Sequence, residues 1–510
     1  MSARRPTTTL AGAVALTLGV TALLAPPAAA HGRGGSPERF AQQVSSRAVM
    51  RHLDAFQRIA DRNDGNRAAL TPGYEESAQY VERTLRRAGY RTWRDPFTFD
   101  REVVDAATLT VTGGATYDVD QMEFSVSTPE GGLTSPVAVP DDPFGCTVEA
   151  WGDADPAGAV AVVSRGGDCP FSAKATAAEA LGAVAVVVHN NVEGIFAGTL
   201  GQEGLVTVPV VGVSLADGQA LVAAAAAGPV EVTLDARVHP EEVESFNVLA
   251  ETRAGRDDNV VMLGAHLDGV EEGAGINDNG TGSAAILEVA VQLGREKRLN
   301  NTVRFAWWGA EELGLIGSTA YVEELATQEG ELDRLATYLN FDMVGSPNYV
   351  IGVYDADQST YPAPVEVPAG SPETEDVLTG WFDAIGQPWV DTEFSGRSDY
   401  QAFIENGVPA SGLFTGADDI KTEEEVALFG GTAGIPHDPN YHSPADDITN
   451  VNPEALRIMT KAIAFATASL ARDTSAINGV SGPGDQGKPW KPWWPGKGRH
   501  DDVRSLDDAA

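Results

Sequence analysis

Residues 259–265 are almost wholly apolar, and a strand of that composition is covered on both of its faces. It does not stand alone. Residues 248–251, 303–308, 338–341 and 409–414 read as further short strands, and Ile286, Val289, Ala290 and Leu293 mark one face of a helix beginning near Gly282. A last long helix is expected over 454–470. Strands alternating with helices predict an α/β fold with a mostly parallel, doubly covered sheet. In such a sheet the functional crevice lies at the carboxyl ends of the strands.

The rest of the 510 residues is arranged around that unit. Arg4 and Arg5, an apolar run from Leu10 to Leu24 and Ala28 to Ala30 form a leader, 1–30, with cleavage expected near Ala30. The run is too short for a spanning helix, so the expectation is export and no membrane partner. Cleavage takes away two arginines and no acid, moving the formal charge from −38 to −40. That acidity argues against nucleic acid and anionic membrane as partners. Residues 31–110 read as a helical start to the main domain, with Leu53, Phe56 and Ile59, then Ala78, Val81, Leu85 and Ala88, at helical spacing. Gly89 supplies a helix stop. Residues 111–240 are β-rich, with runs at 159–164, 184–189 and 208–214. The main domain resumes over 241–474, and 475–510 is a Pro-, Gly- and Trp-containing tail in which Trp490, Trp493 and Trp494 have no core to join. The two cysteines, Cys146 and Cys169, are expected to pair in an exported chain, two buried thiols being the alternative.

Chemistry-bearing residues fall where the crevice should be. His266 follows strand 259–265, Glu311 and Glu312 follow strand 303–308, Asp342 ends strand 338–341, Asp278 sits in a Gly-rich turn before a helix, and His442 lies in a later loop. Singly, each has an ordinary reading: a turn acid, a helix-dipole acid, a surface histidine. Together they make an imidazole and carboxylate set of the kind zinc takes, with room for a water ligand. Glu311 stands beside Glu312 and is free to act as a base.

These motifs carry a resemblance. The spans His266-Leu-Asp268, Asn277-Asp278, Gly309-Ala-Glu-Glu-Leu-Gly314, Asn340-Phe-Asp-Met343 and Tyr441-His442 resemble, in order, the co-catalytic zinc aminopeptidases of the transferrin-receptor/glutamate-carboxypeptidase-like family, and in particular exported bacterial leucyl aminopeptidases. Arg165-Gly-Gly-Asp-Cys-Pro-Phe-Ser-Ala-Lys174 resembles the protease-associated domain, a small module inserted in exported peptidases. The resemblance implies two zinc ions bridged by Asp278, with His266 and Asp342 completing one site and Glu312 and His442 the other. It implies Glu311 as general base, Tyr441 as an oxyanion donor and Arg397 as a substrate contact. The carboxylate of Asp268 is a candidate to fix the ring of His266, a local turn acid being equally open. Phe414, with Phe429, is a candidate pocket wall, a core role for both being equally open. His437 competes with His442 for the ligand role, and the Tyr441-His442 match favours His442. Asp399 is expected as an ion-pair partner for Arg397. Asn279-Gly280-Thr281 fits a glycan acceptor but should be buried. Exported relatives can carry a cysteine beside the ligating histidine; none stands between Pro439 and Pro444, so the loop of Tyr441 and His442 has no covalent brace.

The expected protein is therefore a secreted, monomeric two-zinc aminopeptidase acting on peptides with a free amine, preferring leucine-like residues. A carboxypeptidase or dipeptidase would need cations to clamp a terminal carboxylate, and few lie near these motifs. A non-catalytic receptor would not need Glu311, and a one-zinc cyclase would bind one metal.

Overall fold

The computed structural model describes residues 36–196 and 198–480. The leader 1–30 and the tryptophans of the tail lie outside the described residues. Among the described residues no helix is long and apolar enough to cross a membrane.

Four parallel strands form the centre: Asn301–Trp308, Arg256–His266, Leu335–Phe341 and Ala410–Phe414, side by side in that order. Their side chains alternate between two cores. Val261, Leu263, Val303, Phe305, Trp307 and Phe341 face one that includes the helices Ser46–Ala60, Pro72–Ala88, Gly282–Leu293 and Pro453–Leu470. Val260, Met262, Ala306, Trp308 and Tyr338 face the other, under Ile316–Ala326 and Gln401–Glu405. Each of the large aliphatic and aromatic side chains among these contributes about 2 kcal/mol of transfer free energy. The double covering is what the apolar run 259–265 demanded.

The expected helices are present, and Pro72–Ala88 stops at Gly89, whose φ of 95° suits a residue without Cβ. The helical reading fails over 91–110: Arg91–Val111 is one long strand, paired antiparallel with Glu231–Glu251 from Arg91 opposite Glu251 to Val111 opposite Val232. The signal was there in the period-2 placement of Trp93, Phe97, Phe99, Val103, Leu109 and Val111. This ribbon joins the main sheet, where Glu251 opposes Arg304, to a smaller one. There Leu133–Ala138, Val160–Ser164, Ala185–His189 and Val210–Val213 run parallel, with the helices Phe171–Ala180 and Leu215–Ala227. Cys146 and Cys169 form a disulfide, with Cα atoms 6.0 Å apart. Lys174 is buried beside it, its Nζ donating to the carbonyls of Phe144 at 2.9 Å and Gly166 at 2.6 Å.

Candidate metal centre

The carboxyl ends of three central strands deliver the ligand-type residues to one place. His266 is the last residue of its strand, Asp342 follows Phe341, and Glu311 and Glu312 lie three and four residues past Trp308. Asp278 comes from the irregular turn Ile276–Thr281, whose Asp278–Asn279 peptide is cis. That turn is pressed close to strand Leu335–Phe341, since a Cβ at Gly282 would sit 2.1 Å from the Phe341 carbonyl oxygen. Several residues here hold the left-handed conformation without being glycine: Ala310 before Glu311, Met343 after Asp342, and His442 itself, at φ 57°, 51° and 50°. Such backbone gathers at functional sites.

Asp278 faces both ways. Its Oδ1 lies 3.1 Å from Nε2 of His266 and its Oδ2 lies 3.2 Å from Nε2 of His442. On the first side Asp342 Oδ1 is 3.2 Å from His266, with Glu311 Oε2 at 3.8 Å. On the second, Glu312 Oε2 is 3.0 Å from His442. Donor atoms of His266, Asp278 and Asp342 all lie within 4.8 Å of one another, as do those of Asp278, Glu312 and His442. Oε1 of Glu312 is buried with no hydrogen-bond partner. Four carboxylates packed around two imidazoles, one oxygen left over, fit divalent cations that accept nitrogen and oxygen ligands.

The electrostatics carry the same message. Burial raises Glu311 well above the ordinary carboxylate value; the nearby His266 ring opposes this, and Asp342, Asp399 and Glu312 add to it. Burial and the charge of Asp278 push Glu312 up to about 7. Burial opposes a charged ring at His442, but its hydrogen bonds to Asp278 and Glu312 push it up to about 10. His266 rises well above its usual value for the same reason, burial outweighed by Glu311, Asp342 and Asp278. Asp278 is lowered by the two histidines against the effect of burial. Carboxylates this crowded hold protons unless cations replace them.

Around the cluster runs a support that the sequence did not reveal. Arg67 is fully buried and donates to three carbonyl oxygens, of Ala274 at 2.9 Å, Leu267 at 2.6 Å and Gly275 at 2.5 Å. Asp446 accepts the N–H groups of Asn277 at 2.8 Å and Asp278 at 3.0 Å. Ser398 donates to Asp342 Oδ2 at 2.5 Å and accepts from Asn340 at 2.8 Å. Asp268 corrects its expected role: the ring of His266 meets its main-chain carbonyl at 3.1 Å, while the carboxylate stands 3.8 Å off and accepts the N–H groups of Glu311 and Glu312. The uncysteined loop is braced by Asp438, which accepts from Asn277 at 2.6 Å and from Asn450 at 2.9 Å.

Tyr441 stacks on the His442 ring at 3.8 Å, and its hydroxyl accepts from Arg397 at 3.4 Å. Arg397 pairs with Asp418 at 3.1 Å. The expected partner Asp399 is instead buried, pushed up to about 7 by that burial, with His266 and Ser318 moderating it. His437 is turned to Glu425 at 3.3 Å, away from the cluster. Asn279 is buried, donating to the Phe341 carbonyl at 3.0 Å, so the glycan motif is closed as expected. Phe414 packs near Tyr354 and Phe429 near Tyr349, in separate clusters. A further acid group, Asp355, Asp357 and Glu375, had not been picked out; main-chain N–H groups of Ala356, Asp357, Thr360 and Tyr361 bind its Asp355 and Glu375.

The comparisons with known proteins meet this geometry. Residues 247–467 match the model of peptidase family M28, and residues 133–221 match the PA domain. The chain is 44% identical over 445 residues to the probable lipoprotein aminopeptidase of Mycobacterium tuberculosis, covering 86% of this chain and 87% of that one. This chain belongs to peptidase family M28. A second relative, leucine aminopeptidase 2 of Trichophyton tonsurans, is 40% identical over 431 residues, covering 84% of this chain and 85% of that one. Among solved structures, the zinc aminopeptidase BSAP from Bacillus subtilis is similar with a TM-score of 0.65 at 26% identity, covering 84% of this chain and 95% of its own. The M28 match spans the strands and loops that carry every candidate ligand from His266 to His442.

Proposed function

We propose that this M28 peptidase is a secreted two-zinc aminopeptidase that releases the first residue of peptides with an unblocked amino end, preferring leucine-like residues. One observation carries the reading: the two carboxylate oxygens of Asp278 are directed to different histidines, each with its own further acid. In this reading His266 and Asp342 would hold one ion and Glu312 and His442 the other, with Asp278 shared between them. Zinc, when bound in such a pair, lowers the pKa of a water ligand and polarises a carbonyl oxygen.

The protein's own groups do the rest. Glu311, whose proton affinity is raised by burial, takes the proton of the attacking water and passes it to the departing amine. Tyr441 donates its hydroxyl proton in a hydrogen bond to the carbonyl oxygen as that centre becomes tetrahedral, and Arg397 steadies the phenol from the other side. Asp268 fixes the turn that aims Glu311 and Glu312. The surplus of carboxylates favours a free ammonium group at the substrate's end. The preference for leucine follows the named activity of the Trichophyton relative. Export is supported by the leader sequence and by the Cys146–Cys169 disulfide, which needs an oxidising compartment.

The test compares leucine p-nitroanilide with its N-acetyl form. Blocking the amine should remove nearly all turnover; equal rates on the two would end the exopeptidase reading.

A further inference from the structure

Two cavities meet at the edge of the centre. The smaller, ≈ 240 Å³, is walled by Glu312, Asp268, Leu70, Leu313 and Arg101. The larger, ≈ 600 Å³, shares Leu313 and Arg101 and runs on to Phe99, Phe124, Val126 and Ile316. Phe124 and Val126 lie in the segment that follows Asp120–Gln121, which pairs with Val210–Val213 of the smaller sheet. The second cavity is therefore a continuation of the first, roofed by the inserted module.

Its lining is out of the ordinary for surface. Leu313, next to candidate ligand Glu312, is 48% exposed, and Phe124 and Val126 are each 40% exposed. Phe124 sits at φ 63°, a conformation unfavourable for an aromatic residue, and yet its ring is left open to solvent. An apolar side chain held in strained backbone and left uncovered fits a ligand contact. Arg101, tied to Glu241 at 3.3 Å, stands at the junction.

The geometry points to an extended substrate site: the cavity under the module takes the leaving-group side of a peptide, beyond the scissile bond, and prefers an apolar residue there. This rests on the aminopeptidase reading and deepens it. With the amino end anchored at the metal ligands, the chain can leave only along open walls, and this continuous cleft offers them. A volume of ≈ 600 Å³ has a linear dimension of about 8 Å, room for about two to three extended residues. The module thereby acts as a specificity wall for peptides long enough to reach it.

The test is a ratio. The kcat/KM of the full chain is measured on leucine p-nitroanilide and on a leucyl pentapeptide with phenylalanine at its third and fourth positions, for wild type, Phe124→Asn and Val126→Ser. Asparagine keeps the left-handed backbone at little cost. The pentapeptide-to-anilide ratio should fall about tenfold in each variant, as expected for losing one apolar contact in a subsite. Partial misfolding would scale both activities by the same factor and cancel in the ratio, which therefore reports the folded enzyme alone. An unchanged ratio in both variants, or a wild type indifferent to replacing the phenylalanines by glycine, overturns the extended site. A wild type inactive on the anilide would instead overturn the aminopeptidase reading itself.

Discussion

The cleft and the inserted module both bury charge, and they treat it in opposite ways. In the module, Lys174 is enclosed, but two carbonyl oxygens receive its ammonium group, and a disulfide fixes the loop that supplies them. In the cleft, Asp278, Glu311, Glu312 and Asp342 crowd around His266 and His442, and Glu312 Oε1 has no partner at all. A buried polar group left unsatisfied costs about 1–3 kcal/mol. The module's buried charge is spent on holding shape, and the cleft's is held in readiness for something that binds.

That contrast predicts that activity and stability come apart along the chain. The largest effect should come from Glu311→Gln, which removes the proposed proton carrier and keeps the proposed ligands: turnover of leucine p-nitroanilide should drop about a hundred- to ten-thousand-fold, with bound zinc unchanged by elemental analysis. A variant keeping more than half its activity would strip the cleft of its assigned base. Arg67→Met comes next. It leaves the carbonyls of Leu267, Ala274 and Gly275 without their donor, and should destabilise the fold by about 3–5 kcal/mol in urea unfolding. A loss under 1 kcal/mol would show that the cleft is not built around this cation.

On the module's side, replacing Cys146 and Cys169 by serine opens a loop with a sequence separation of 23 and should cost about 3 kcal/mol, while kcat on the anilide stays within about twofold. Loss of anilide turnover in the folded double variant would blur the division between the two regions. The smallest effect concerns pH. Asp446 and Asp399 are each pushed up to about 7 by burial, from an ordinary 3.8. The native state then holds protons that the unfolded chain releases, so stability is lost as pH rises from about 4 to about 7. Chelated protein should melt lower at pH 7 than at pH 5, and Asp446→Asn should flatten that slope. A slope of opposite sign would mean these acids are charged in the native state.

What could be read from sequence follows the same division. His266, Asp278, Glu312, Asp342 and His442 stood out because strand ends and local motifs announce them, and the structure gathers all five. Arg67 did not, since its partners are carbonyl oxygens some two hundred positions away, and a carbonyl leaves no mark on sequence. Asp446 was hidden likewise, bound to the N–H groups of Asn277 and Asp278. Asp268 was singled out for its carboxylate, whereas its carbonyl meets the ring. Strand Arg91–Val111 contradicts the helical reading up to residue 110 because the helical spacing upstream ends at the stop at Gly89 and does not carry on past it. Asp399 was given the wrong partner because adjacency to Arg397 suggested a loop pair, while the fold turned it inward.

In the proposed centre two cations share Asp278. Elemental analysis of the dialysed, active wild-type protein tests it most directly. Two zinc ions per chain are expected; one zinc per chain at full activity on leucine p-nitroanilide would rule the shared carboxylate out.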